Sequence, residues 1–199
     1  MPRVLSTAEI TDFRERLCAV AERLFAERGA EGVTLRQVAA ELGVSAMTPY
    51  RYFKDKDEIL AAVRTSAFER FASAMEAAYS GTTGDARVKS QAVAAAYMQF
   101  ATQSPQAYRL MVDIAQPNEA DYPDLVAAVE RSRATMTAYV QGLVDEGVLA
   151  GDPYQIGLAF WAAMHGVMSL RLAGKLPEAD EAAVRGLIFH ALGKGLRPS

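Results

Sequence analysis

At 199 residues the chain is long enough for one large or two small domains, each with its own core. Its 51% hydrophobic and 23% charged residues exclude a disordered polymer, and the single cysteine, Cys18, excludes an intramolecular disulfide framework. A net charge of −3 argues against indiscriminate binding of a polyanion over the whole surface, so any basic site has to be local.

The opening MPRVLSTAEITDF lacks the apolar core of a signal peptide, and the expectation is a soluble, cytoplasmic protein. From Ile10 to Arg28, the residues Ile10, Phe13, Leu17, Ala21, Leu24 and Phe25 recur on one face of an amphipathic helix that ends before Gly29. Thr34 is a natural N-cap for a second helix reaching Leu42, with Leu35, Val38, Ala39 and Leu42 at helical spacing. Gly43 follows, where a left-handed backbone costs glycine nothing, and Ser45 stands as the cap of a further helix from Ala46 to about Phe53. Helices joined so tightly cross steeply, as in a helix-turn-helix. Ala46, Met47, Thr48 and Arg51 show no apolar period, so this helix offers an outward face while Tyr52 and Phe53 turn back to the core. Pro49 falls near its start, where the loss is about one backbone hydrogen bond.

A long helix then runs from Lys56 to about Tyr79, roughly 36 Å at 1.5 Å per residue, with Ile59, Leu60, Val63, Ala67, Phe71 and Met75 on its apolar face. SGTTGD, with Gly81 and Gly84, marks a linker or loop. Further helices are expected at about Arg87 to Gln103, Pro105 to Ala115, Pro123 to Glu146, Pro153 to Ala173 and Glu178 to Leu196, with a loop between Gln116 and Pro123. No strand pattern interrupts them, so the expected fold is all-α. The stretch from Ile156 to Leu172 is apolar around nearly its whole circumference, yet it is shorter than the roughly 20 residues a bilayer core requires. It reads as a helix buried on two sides, in its own domain and against another subunit. Ala162, Gly166 and Ser169, with Ala183, Gly186 and Ala191 on the last helix, would allow the close packing of a four-helix dimer interface.

The run from Phe25 to Leu60 resembles the DNA-binding domain of the tetracycline-repressor (TetR) family. It matches at Phe25, Gly29, Thr34, Leu35, Val38, Ala39, Leu42, Gly43, Val44, Ser45, Thr48, Tyr50, Tyr52, Phe53, Lys56 and Leu60, without a gap. WAAMHG, with Trp161, His165 and Gly166, is similar to the WHG-type C-terminal domain of part of that family. The resemblance implies an N-terminal three-helix helix-turn-helix domain over residues 1–55, and a connecting helix with a C-terminal regulatory and dimerisation domain over 56–199. It also implies a homodimer joined through the last two helices.

Within Val33 to Lys56, Arg36, Arg51, Lys54 and Lys56 outnumber Glu41 and Asp55, a local surplus of two positive charges. So modest a surplus predicts few phosphate contacts per subunit and favours two half-sites bound at once. On the resemblance, Thr34 and Tyr50 contact phosphate. The hydroxyls of Ser45 and Thr48 can bond phosphate or base edges, and Ala46 and Met47 can meet thymine methyls. Arg36 and Arg51 would face the duplex, and Lys56 opens the long helix, whose N-terminus already favours an anion. The bland reading leaves Thr34 and Ser45 as caps, Thr48 and the arginines as solvated surface, and Tyr50 as core.

In the C-terminal region Tyr97, Phe100, Tyr108, Met111, Met136, Tyr139, Val140, Phe160, Trp161, Met164 and His165 are spread over helices expected to face one another. They are either an ordinary core or, as the resemblance implies, the lining of a cavity for a hydrophobic or amphipathic small molecule, a role adaptable methionines suit. His165 has only His190 to join it, so no metal site is expected. There is no phosphate loop, nucleophile elbow or catalytic triad spacing, and no catalytic residue or cofactor is expected. The reading is a ligand-responsive, DNA-binding transcription regulator, a repressor released from a palindromic operator by its effector. The alternative is a helical ligand-binding or scaffold protein whose helix-turn-helix is only a packing unit.

Overall fold

The computed structural model describes residues 6–112, 116 and 118–198. Regular structure among them is helical: α1 (Thr7–Arg28), α2 (Leu35–Glu41), α3 (Lys56–Gly81), α4 (Ala86–Gln103), α5 (Pro105–Val112), α6 (Pro123–Asp145), α7 (Pro153–Leu172) and α8 (Glu178–Gly195). Single 3-10 turns stand at Pro49–Arg51 and Glu119–Asp121. The expected extension of α5 to Ala115 lies outside the described residues, as do Pro117 of the loop after it and the first five residues of the chain. α1 begins a turn before Ile10 because Ser6 and Glu9 form a reciprocal capping box, and Ile10 beside that cap is exposed. No helix among the described residues is long and apolar enough to cross a membrane.

The chain packs as two compact units. One holds the residues as far as Glu69 together with Gln106–Val129, and the other holds Arg70–Pro105 and the chain from Glu130 onward. This grouping differs from a cut at residue 55. α3 is one uninterrupted helix of 26 residues that begins in the first unit and ends in the second.

In the first unit Leu17, Ala21, Leu24 and Phe25 of α1 meet Leu35 and Val38 of α2, Phe53, and Ile59, Leu60 and Val63 of α3, all almost wholly removed from water. Leu110 of α5 completes that core at zero exposure. The segment carrying it is held by polar bonds as well. Arg64, only 4% exposed, donates from Nε to the Leu110 carbonyl (3.2 Å) and from a terminal nitrogen to Glu119 (3.3 Å), while Gln116 donates to the Asp57 carbonyl (2.6 Å). Cys18 of α1 is half-buried, and burial pushes its thiol up to about 11.

In the second unit Phe71 of α3 takes Tyr97 and Phe100 of α4 edge-on, with ring centroids 5.5 and 5.3 Å apart. Ala86, Val140, Leu143, Leu149, Ile156 and Phe160 form a further core. α6 and α7 approach closely at Gly157, where an added Cβ would stand 3.3 Å from the Met136 carbonyl oxygen. α7 buries Ile156, Phe160, Met164, Val167 and Met168 but leaves Ala159, Ala162, Gly166 and Leu170 exposed. α8 likewise exposes Ala183, Gly186, Ala191 and, at 71%, Leu187.

Because Arg64 is the buried partner and Glu119 is partly solvated, the two should contribute unequally. Arg64→Ala is expected to lower the stability of the chain by about 2–3 kcal/mol, by orphaning the Leu110 carbonyl, and Glu119→Gln by less than about 1 kcal/mol. Urea unfolding of both variants checks the difference.

Candidate nucleic-acid interface and pocket

The outward surface of the first unit is built on caps. Thr34 is extended, its Oγ1 accepts the Gln37 N–H (3.3 Å), and Gln37 Oε1 accepts the Thr34 N–H (2.8 Å). This closes a capping box that fixes the start of α2 and leaves both Thr34 and Arg36 exposed. Gln37 was not singled out by sequence reasoning, although the T-x-x-Q spacing signals it. At the other end of α2 the Val44 N–H reaches the Ala39 carbonyl (3.0 Å) and the Gly43 N–H reaches the Ala40 carbonyl (3.1 Å), with Gly43 at φ 68°. The chain thereby reverses within a Schellman turn, a conformation glycine adopts without steric cost.

The expected second helix over Ala46 to Phe53 is instead a turn followed by one turn of 3-10 helix, Pro49–Arg51. Pro49 has no N–H to give the Ser45 carbonyl, which takes the Thr48 N–H at 2.8 Å instead. The following bonds, Arg51 to Thr48 and Tyr52 to Pro49, keep the same short register. Ser45 caps only weakly, accepting the Met47 N–H at 3.4 Å. The segment stays where it is because its end is anchored. Phe53 is 1% exposed, Tyr52 lies against Phe13 with ring centroids 4.7 Å apart, and Arg14 of α1 donates to the Tyr52 carbonyl with its guanidinium 4.2 Å over the Phe53 ring. No local signal points to Arg14, which lies 38 residues from its partner.

What the anchor presents outward is Ser45, Ala46, Met47 (65% exposed), Tyr50 (45% exposed) and Arg51, with Thr48 half-buried and Pro49 turned inward. Lys56 opens α3 with Nζ 3.6 Å from Glu31, whose carboxylate is almost wholly in water. A pair of that kind is weak and open to displacement by another anion. The first turn of α3 is otherwise acidic. Asp55 accepts the Glu58 N–H (2.9 Å), and the Tyr122 phenol is pushed up by burial and by the charges of Asp55, Asp57, Asp121 and Glu58. These carboxylates offset the pull of the helix end on an anion, so attraction there depends on the Lys56 ammonium more than on the helix dipole.

The second unit holds a pocket of about 600 Å³ that opens to the surface beside the exposed Arg87, Gln91 and Gly186. Tyr97, Met136, Tyr139, Phe160, Trp161 and Met164 line it, joined by Phe71, Met75, Met98, Leu143 and Phe189 and by the polar Arg87, Ser90, Gln91, Thr135, Glu181 and Arg185. Five residues expected in the lining stand elsewhere. Phe100 is buried against Phe71, and Val140 lies at zero exposure in the core around Ala86 and Leu143. His165 stacks on Trp161 (centroids 5.8 Å, 19° between planes) with a ring nitrogen 3.3 Å from Ser169 Oγ. Tyr108 and Met111 are buried in the first unit, because the short α5 packs there. Helical spacing marks such residues as apolar without saying which core receives them. Among the described residues no group of three or more His, Cys, Asp or Glu side chains could hold a metal ion.

Comparison with known proteins places this architecture. Residues 17–63 match the family described as bacterial regulatory proteins, tetR family, and residues 90–191 match the tetracyclin repressor-like C-terminal domain. An uncharacterized HTH-type transcriptional regulator of Mycobacterium tuberculosis is 24% identical over 171 residues, covering 86% of this chain and 75% of the relative. A solved structure of a protein of unknown function from Rhodococcus sp. RHA1 superposes with a TM-score of 0.80 at 29% identity, over all of both chains. A putative tetR family transcription regulator from Shewanella sp. PV-4 has a TM-score of 0.75 at 16% identity, covering 94% of this chain and 98% of its own, and so shares the fold.

If the exposed residues owe nothing to packing, Met47→Ala and Tyr50→Ala will change unfolding free energy by no more than about 0.5 kcal/mol. Phe53→Ala, which empties the anchor, is expected to cost about 3–5 kcal/mol. Parallel urea titrations of the three variants measure the contrast.

Proposed function

The chain belongs to the tetR family of bacterial transcriptional regulators, whose members bind DNA and dimerise, and on that premise we propose that it is a repressor acting in the cytoplasm on a palindromic operator. The observation carrying this reading is the exposure of Ser45, Ala46, Met47, Tyr50 and Arg51 on a turn whose other end is buried. A helix-turn-helix used only for packing would turn those residues inward, which weighs against the scaffold alternative. In this reading Ser45, Thr48, Ala46 and Met47 meet base edges or nearby phosphates, and Thr34, Arg36, Tyr50, Arg51 and Lys56 hold the backbone.

Two copies are needed because one brings so few cations. The exposed small-residue faces of α7 and α8, with Leu187 and open space beside Gly166 and Gly186, support pairing of these helices with the same helices of a second copy. The dimer would set the two recognition segments about 34–36 Å apart, in successive major grooves. An apolar or amphipathic effector in the cavity would shift that separation. Phe71 and Met75 of the cavity wall lie on the same helix as Lys56, and differential affinity of the effector for the two states supplies the energy.

Band shifts with DNA selected from a random pool test the interface. Lys56→Ala should weaken binding to selected and random DNA alike and flatten the salt slope by about one, whereas Thr48→Ala or Met47→Ala should relax preference at one position. Leu187→Glu should yield a folded monomer in sedimentation and lose the selected-site complex. Equal loss on both DNAs for all the interface variants would remove base readout from this segment. An effector that saturated the cavity without changing operator affinity would refute the coupling.

A further inference from the structure

The cavity lining carries a charge pattern that selects among effectors. Resting on the reading of the cavity as the effector site, we propose that its ligand is an amphipathic anion, with the acidic head held at Arg87 and the Tyr139 hydroxyl and the apolar body lying against Met136, Phe160, Trp161 and Met164.

Three cavity-lining charges decide the sign. Glu181 and Arg185 neutralise one another, the Arg185 Nε donating to the carboxylate at 3.0 Å on adjacent turns of α8. Arg87 remains, with no ion pair among the described residues. The acids at the start of α4, Asp85 and Glu146, accept the Val88 N–H (2.9 Å) and the Ala86 N–H (3.0–3.1 Å), and neither lines the pocket. Of the three charges in the lining, the one left without an opposite partner there is therefore Arg87, a guanidinium shaped to take two oxygens of a planar acid.

Tyr139 supplies the second contact. Its phenol has no hydrogen-bond partner among the described residues, and burial alone pushes its pKa up, so it remains a neutral donor. Tyr139 and Arg87 line the same pocket, and Tyr139 packs against the core that contains Ala86, the residue before Arg87. Much of the remaining wall is aromatic rings, methionines and aliphatic side chains, suited to an apolar body of variable shape, with Ser90, Gln91 and Thr135 as its neutral polar members.

Trp161 is the single tryptophan of the chain and lines the cavity, so its fluorescence reports occupancy directly. Titrations of the full-length protein with decanoate, decanol and decyltrimethylammonium, each below its micelle concentration, compare heads on one chain. Decanoate is expected to bind about five- to tenfold tighter than decanol, with the ammonium weakest. Arg87→Gln, a change at an exposed position, should bring decanoate to the level of decanol and leave decanol unchanged. Tyr139→Phe should weaken decanoate a few-fold with the fold intact by circular dichroism. Equal binding of all three probes, tighter binding of the ammonium, or an unaltered decanoate preference in Arg87→Gln overturns the charge assignment and leaves the cavity reading standing. No change in Trp161 fluorescence and no calorimetric heat with any probe overturns the cavity reading and this inference together.

Discussion

The segment proposed to read DNA cannot hold its own shape. From Ser45 to Phe53 its backbone bonds are Thr48 to Ser45, Arg51 to Thr48 and Tyr52 to Pro49 in the short 3-10 register and Phe53 to Pro49 in the α register, with a proline where an α-helix would have begun its ladder. Its geometry is set from outside, by Phe53 sunk in the core, Tyr52 against Phe13, and Arg14 clasping the Tyr52 carbonyl while covering the Phe53 ring. A short segment anchored at one end presents its side chains without spending them on packing, which is why Met47 and Tyr50 can be both apolar and exposed. The same arrangement makes α1 the support of the segment proposed to meet DNA.

That anchoring depends on the core beneath it, and the core draws on more of the chain than the helix-turn-helix alone. Leu110 and the polar clasp of Arg64 bring Gln106–Val129 into the first unit. The helices on either side of that excursion, α4 and α6, supply Tyr97, Met98, Met136 and Tyr139 to the cavity in the second. Three stretches of backbone, α3, the α4–α5 connection and α6, therefore carry covalent continuity from residues of the cavity wall to residues of the DNA-binding unit. In the proposed coupling, a ligand that biases the wall has several covalent routes by which to act besides α3.

Much of this was legible in the residues. The apolar face of α3 from Ile59 to Met75 is buried as its spacing requires, Thr34 caps α2, and Gly43 takes the left-handed turn. These are local properties, set by period, cap and backbone sterics. The 3-10 geometry around Pro49 was missed because a missing N–H near a helix start is tolerable in general, and only the competing Thr48 to Ser45 bond decides the case. For Tyr108 and Met111 the residues leave two readings, an ordinary core or the cavity lining that the family resemblance implies, and the short α5 puts both in the core of the first unit. Arg14 and Arg64 are silent for a related reason: their partners lie far along the chain, and periodicity carries no information about pairing at that range.

The central claim is that the surface around Met47 meets DNA, and it is tested most directly by amide hydrogen exchange of the full chain with and without a DNA fragment selected from a random pool. The account predicts slowed exchange at residues 34–36 and 45–56 on binding. Slowing confined to other segments, with those two unchanged while the DNA is bound, would contradict it.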